Sequence, residues 1–169
     1  MSKAFTRESD DAPDRPLPAR PSALPPGAKN YLTSDGAQRL GAELERLVQV
    51  ERPRLAALTE DAAAWQQLQI LDQRIQQIEQ SLRSAVVVPP PGVRDQRVRF
   101  GATVTVREPD GGESSYRIVG VDETDLDRGW VSWLSPIAKA LLNAEPGQRV
   151  RLKLPAGDVE LEVTGVSPD

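Results

Sequence analysis

The side chains able to do chemistry in this chain are few, and what is missing narrows the field first. There is no cysteine and no histidine, which removes disulfides, thiolate chemistry, imidazole bases and the usual transition-metal ligand sets. Carboxylates, lysines and tyrosines remain. Two groups of carboxylates are the candidates, Glu60-Asp61 and the run Asp122-Glu123-Thr124-Asp125-Leu126-Asp127. A third stretch, Ser135-Pro136-Ile137, offers a hydroxyl, a rigid ring and an apolar edge. Ser135 is a natural helix cap and Pro136 a natural first helical residue, because a missing N–H costs nothing there.

The elements that must hold these residues follow from periodicity. Thr33-Ser34-Asp35 offers cap residues, and Leu40, Leu44 and Leu47 follow at spacings of four and three. The same register continues through Glu51, Arg54 and Leu58, with Val48 and Leu55 beside the seam, and Pro53 should bend or break this helix. A second arm carries Leu68, Leu71, Ile75, Ile78 and Leu82 in a heptad seam. So short a connection makes the arms antiparallel neighbours, a helical hairpin whose arms of roughly 25 residues reach about 35 to 40 Å. Glu60 and Asp61 fall at its turn. They read first as helix-terminus residues, favoured beside N-terminal amides, and second as a functional tip. Trp65 reads first as packing on the hairpin's end and second as contacting a partner. Glutamines at 66, 67, 69, 73, 76, 77 and 80 read as a solvated face.

Pro89-Pro90-Pro91-Gly92 forms a stiff linker, after which the pattern changes to period two. Val98, Phe100, Thr103, Val104 and Val106 predict a first strand. Pro109-Asp110-Gly111-Gly112 predicts a turn, and Tyr116, Ile118 and Val119 begin the return strand. A strand over Trp130 to Leu134 runs into the helix opened by Ser135-Pro136. Val150, Leu152 and Leu154 then pair with Val159, Leu161, Val163 and Val166.

The predicted division is a disordered, proline-rich tail (1–29, with six of the fifteen prolines), a coiled-coil hairpin (30–88), a linker (89–97) and a mainly antiparallel β domain with one short helix (98–169), an α+β fold. The net charge of −4 and pI near 5.0 argue against a protein that grips nucleic acid by itself. No signal peptide or apolar run of about 20 residues appears, so a cytoplasmic protein with no membrane contact is expected.

These pieces resemble the GreA/GreB family of bacterial transcription elongation factors. The resemblance rests on Asn30-Tyr31-Leu32-Thr33-Ser34-Asp35-Gly36, Val50-Glu51-Arg52-Pro53, Phe100-Gly101-Ala102-Thr103-Val104, Tyr116-Arg117-Ile118-Val119-Gly120 and Ser135-Pro136-Ile137-Ala138-Lys139-Ala140-Leu141-Leu142, in that order. The opening ten residues also look like the extended N-terminus of GreB-type members. The resemblance implies an FKBP-like C-terminal domain docking on core RNA polymerase at the mouth of its secondary channel. The coiled coil enters the channel, and its acidic tip helps hold a Mg²⁺ of the polymerase site that cleaves backtracked RNA. On that reading the protein is no enzyme, holds no cofactor of its own, touches nascent RNA only indirectly and works as a monomer. Asp122, Glu123, Ser135, Pro136 and Ile137 are the polymerase-binding candidates, and Glu60 and Asp61 the tip carboxylates.

The tip departs from the family pattern. An aspartate and a glutamate three apart, followed by asparagine, are absent, and the arms are shorter by about a dozen residues in all, on the order of 9 Å of reach. Carboxylate–metal coordination tolerates only tenths of an ångström. In outline the chain is similar to Rnk, a short-armed relative that binds polymerase without the cleavage function. The expectation is therefore a channel-binding factor that modulates elongation, pausing or backtracking with weak or no cleavage. Two alternatives are a conventional cleavage factor working through Glu60 and Asp61, and an FKBP-like isomerase or chaperone module. The last has only the fold in its favour, and fold does not carry function.

Overall fold

The computed structural model describes residues 24–58 and 60–168; the predicted tail lies mostly outside them. The chain opens with strand β1 (Asn30–Thr33) and helix α1 (Ser34–Arg46), continues through a π-helical turn (Leu47–Glu51) into α2 (Arg52–Ala56), reverses, and returns along α3 (Ala62–Ser84) into β2 (Ala85–Val88). The second half holds β3 (Thr103–Arg107), β4 (Glu113–Val119), β5 (Trp130–Ser132), α4 (Pro136–Leu141), β6 (Arg149–Leu154) and β7 (Gly157–Ser167).

Residues of the predicted seams build the hairpin's interior. Leu32, Leu40, Leu47, Ile75 and Ile78 are buried together, flanked by Ala37, Leu44, Leu71, Leu82 and Ala85. Ion pairs cross between the arms, Arg52 to Asp72 at 2.8 Å and Arg74 to Glu43 through two bonds of 2.9 and 3.0 Å. Pro53 does not break the first arm. The turn before it winds wide, with the Arg52 N–H donating to the Leu47 carbonyl five residues back, and Pro53 sits in the first turn of α2, where its missing donor is tolerated. Glu51 spans the wide turn, paired with Arg46 (3.3 Å) and Arg54 (2.7 Å).

That wide turn inserts one residue into the register. The inward position moves from Arg54 to Leu55, which is buried, while Leu58, expected on the seam, is 52% exposed. On α3 the heptad spacing extends back four residues from Leu68 to Ala64, which is 4% exposed. Trp65 lies one position further round and is 59% exposed, so it does not pack on the hairpin's end as expected.

Strands β1 and β2 pair in parallel, Asn30 with Ala85 through Thr33 with Val88; the sequence reading contained neither. The main sheet has the order β5-β4-β3-β7-β6. It is antiparallel except for β4–β5. The predicted strand over 98–106 starts only at Thr103. Gly101 turns the chain at φ +86°, a conformation that favours glycine, and Val98 is held instead by an N–H bond to Ala144 O. The core joins Val98, Val104, Val106, Ile118, Val131, Leu152, Leu161 and Val163 to Ala138 and Leu141 of α4. The described residues thus form an α+β fold with a mostly antiparallel sheet.

Candidate functional site

The densest set of polar contacts joins the base of the hairpin to the sheet, and two of the predicted partner-binding residues lie inside it. Glu123 is in a 3-10 turn (Val121–Glu123) that follows β4, with its side chain 2% exposed. One carboxylate oxygen accepts from the backbone N–H of both Thr33 and Gly120, each at 2.9 Å. The other accepts from the Thr33 hydroxyl and faces Arg39 at 3.6 Å. Thr33 Oγ1 in turn accepts from the Gly36 N–H and caps α1. Asp122 accepts from Asn30 Nδ2 (3.3 Å) and from the Ser81 hydroxyl, tying β1 to α3.

Small residues make this closeness possible. A Cβ on Gly36 would stand 1.7 Å from Glu123 Oε1, and one on Gly120 would stand 2.0 Å from the Tyr31 carbonyl oxygen. Tyr31 is seated between two rings, 5.1 Å from Trp133 and 5.9 Å from Phe100. Trp130 is the matching post on the other side, with the guanidinium groups of Arg39, Arg117 and Arg128 at 4.4, 5.2 and 5.2 Å from its ring. These contacts join the base of the hairpin to the sheet.

Arg117 also donates twice to Asp35, at 3.0 and 3.1 Å. That pair holds the Asp35 carboxyl at about 2 against its usual 3.8; partial burial opposes the shift, and a hydrogen bond with Thr33 supports it. The folded state therefore binds this proton less readily than the unfolded chain. The stabilisation is complete above about pH 5 and is lost as the pH falls towards 2. Asp35 is 49% exposed, so screening limits its worth to about 1 kcal/mol. Thermal unfolding between pH 5 and 2 should show this acid limb, and Asp35→Asn should flatten it.

The remaining candidates lie elsewhere. Ser135 Oγ accepts from the Ala138 N–H (3.2 Å) and caps α4 as predicted. Pro136 is exposed and Ile137 half-buried against the sheet core. This junction has no hydrogen bond with Asp122 or Glu123 among the described residues. Glu60 and Asp61 are both exposed at the reversal. Asp61 caps α3, accepting from the Ala63 N–H at 2.9 Å; Glu60 makes no ion pair with a described residue. Among the described residues no three acidic groups are placed to hold a metal ion.

The sequence reading missed the joint. Thr33 reads in the sequence as a cap for α1, as the structure has it, but Asn30, Arg117 and Gly120 appear there only as motif letters. The contacts that join Asn30 to Asp122, Thr33 and Gly120 to Glu123, and Arg117 to Asp35 are not visible in it.

Residues 93–168 match the family model described as transcription elongation factor GreA/GreB, C-terminal. The chain is 41% identical over 154 residues to transcription elongation factor GreA of Alkalilimnicola ehrlichii, covering 82% of this chain and 98% of that protein. It is 37% identical over 153 residues to GreB of Neisseria meningitidis, covering 82% and 93%. It is also similar to the GreA factor homolog Gfh1 of Thermus thermophilus (26% identity, TM-score 0.39, covering 83% and 99%). A GreA/GreB factor of Nitrosomonas europaea is similar as well (24%, TM-score 0.40, covering 82% and 99%). The chain belongs to the GreA/GreB family of transcription elongation factors. The sequence relatives carry that assignment, since the superpositions are loose.

The alignment with the Alkalilimnicola protein also carries a length. It runs over 154 residues, yet 82% of a chain of 169 is about 139 residues. About fifteen aligned positions therefore have no counterpart here.

Proposed function

We propose that this chain binds RNA polymerase at its secondary channel and regulates elongation, pausing or backtracking there, with weak or no stimulation of transcript cleavage. On this reading the sheet half is an FKBP-like head that docks through the Ser135-Pro136-Ile137 junction, and the hairpin is an antiparallel coiled coil that enters the channel. The joint around Glu123 sets the angle between them. The protein is no enzyme; any cleavage chemistry and its Mg²⁺ belong to the polymerase, in the cytoplasm where transcription proceeds.

The single observation that carries this reading is the deficit of about fifteen positions against the Alkalilimnicola protein, which we assign to the hairpin because the family's tip pattern is absent there. On that assignment the missing positions are shared between two arms, so each arm loses roughly seven residues, on the order of 10 Å. Two-metal chemistry needs its carboxylates within a few tenths of an ångström of their place. If the head docks as in longer relatives, Glu60 and Asp61 end well short of the metal.

The conventional alternative, cleavage through Glu60 and Asp61, keeps one observation in its favour, the exposed and unpaired Glu60. Binding itself is tested by displacement. Dye-labelled protein should bind core polymerase and be displaced by a full-length GreA. Pro136→Ala should weaken binding about tenfold without lowering the melting temperature, as loss of an apolar anchor does. Failure to bind, or binding indifferent to GreA, would overturn the reading.

A further inference from the structure

The tip of the hairpin leaves two large apolar side chains in water, Leu58 at 52% and Trp65 at 59% exposure. Neither closes the fold, because Leu55 and Ala64 are the buried residues at that end. The two flank the reversal, and backbone bonds tie them to it. The Asp61 N–H donates to Leu58 O and the Trp65 N–H to Asp61 O, both at 3.1 Å. A tryptophan kept in water where a small residue would serve the fold is the kind of side chain that anchors interfaces.

The charge around it selects the partner. Between the two apolar residues stand the exposed carboxylates Glu60 and Asp61. The nearest cations along the chain, Arg52 and Arg54, are taken up by Asp72 and Glu51. The tip therefore presents two exposed apolar side chains together with two exposed carboxylates. Phosphates would be repelled by it, whereas an apolar recess bordered by lysine or arginine would be complementary.

We propose that Leu58 and Trp65 seat in an apolar, cation-rimmed recess on the protein wall of the polymerase channel, a second anchor remote from the head. The inference rests on the channel-binding reading above and gives the shortened stalk a use, since the tip grips protein where it no longer reaches metal. Head and tip belong to one chain, so once the head is bound the tip meets its recess at high effective concentration.

The test is equilibrium binding of the full chain to purified core polymerase. Trp65→Ala should weaken binding at least tenfold and Leu58→Ser/Trp65→Ala further, with unchanged melting temperature and far-UV dichroism because both side chains are exposed. Glu60→Lys should weaken binding and flatten its salt dependence. If the double variant binds within twofold of wild type while Pro136→Ala is impaired, this inference fails and the channel-binding reading survives. If the wild-type chain does not bind polymerase, both fall. A loss confined to complexes with extruded RNA would make RNA the occupant, and self-association abolished by Trp65→Ala would make it a second copy; either result overturns the proposal.

Discussion

Glu123→Ala is expected to destabilise the protein by about 3 kcal/mol. The carboxylate is nearly sealed from solvent and accepts two backbone N–H groups, from Thr33 and Gly120, as well as the Thr33 hydroxyl. Truncation leaves both amides in a dry site without an acceptor, and each such loss costs about 1 to 3 kcal/mol. Breaking a buried ionic contact by removing one partner costs about 3 to 5 kcal/mol. The lower end applies here because Arg39 is 42% exposed and rehydrates. For a chain of this size the melting temperature should fall on the order of 10 °C. Glu123→Gln should cost less, since the amide keeps one accepting oxygen. A loss below about 1 kcal/mol for the alanine variant would mean that the joint is not held by this residue.

Two isoleucines on α3 make a matched comparison. Ile78 is 1% exposed in the cluster with Leu32, Leu40, Leu47 and Ile75, while Ile70 on the same helix is 66% exposed. Ile78→Ala removes buried methyl and methylene groups and leaves a cavity that Leu32 and Leu82 fill poorly, a loss of about 3 to 4 kcal/mol. Ile70→Ala should lie within about 0.5 kcal/mol of wild type, helped slightly by alanine's helix propensity. Chemical denaturation of the two variants checks this. Equal losses would mean that the arms do not pack along the Leu40–Ile78 seam.

Much of this architecture was legible because periodicity is a local signal. The seam residues Leu40, Leu44, Leu47, Leu71, Ile75, Ile78 and Leu82, the Ser135-Pro136 cap and the 149–166 strand pair all stand in the chain as spacing. What spacing hid was non-local or a matter of register. One residue inserted at the π-helical turn moved Leu58 out of the seam and Leu55 into it, and no pattern upstream announces that. Extending the second seam back from Leu68 would have placed Ala64 inside and Trp65 outside. Strands β1 and β2 are four residues each and pair across more than fifty positions, so neither carries a period long enough to read.

The same limit explains the site. Asp122 and Glu123 stand in an acidic run that reads as solvated and available to a partner, and the run is split by the fold: Glu123 turns inward to Thr33 and Gly120, while Leu126 remains 76% exposed. A buried carboxylate cannot be told from an exposed one by its neighbours in sequence. It becomes recognisable only when the Thr33 amide and hydroxyl, far back along the chain, are in place beside it.

On the proposed channel-binding reading, a deficit on the order of 10 Å leaves Glu60 and Asp61 short of the polymerase active site. The decisive experiment is RNA release from a stalled, backtracked elongation complex, at concentrations where the protein is shown to be bound. Release should be no faster than the polymerase's own rate, and unchanged by Glu60→Ala/Asp61→Ala. Accelerated release that disappears in that double variant would contradict a stalk too short for the chemistry, and would place the tip carboxylates at the metal after all.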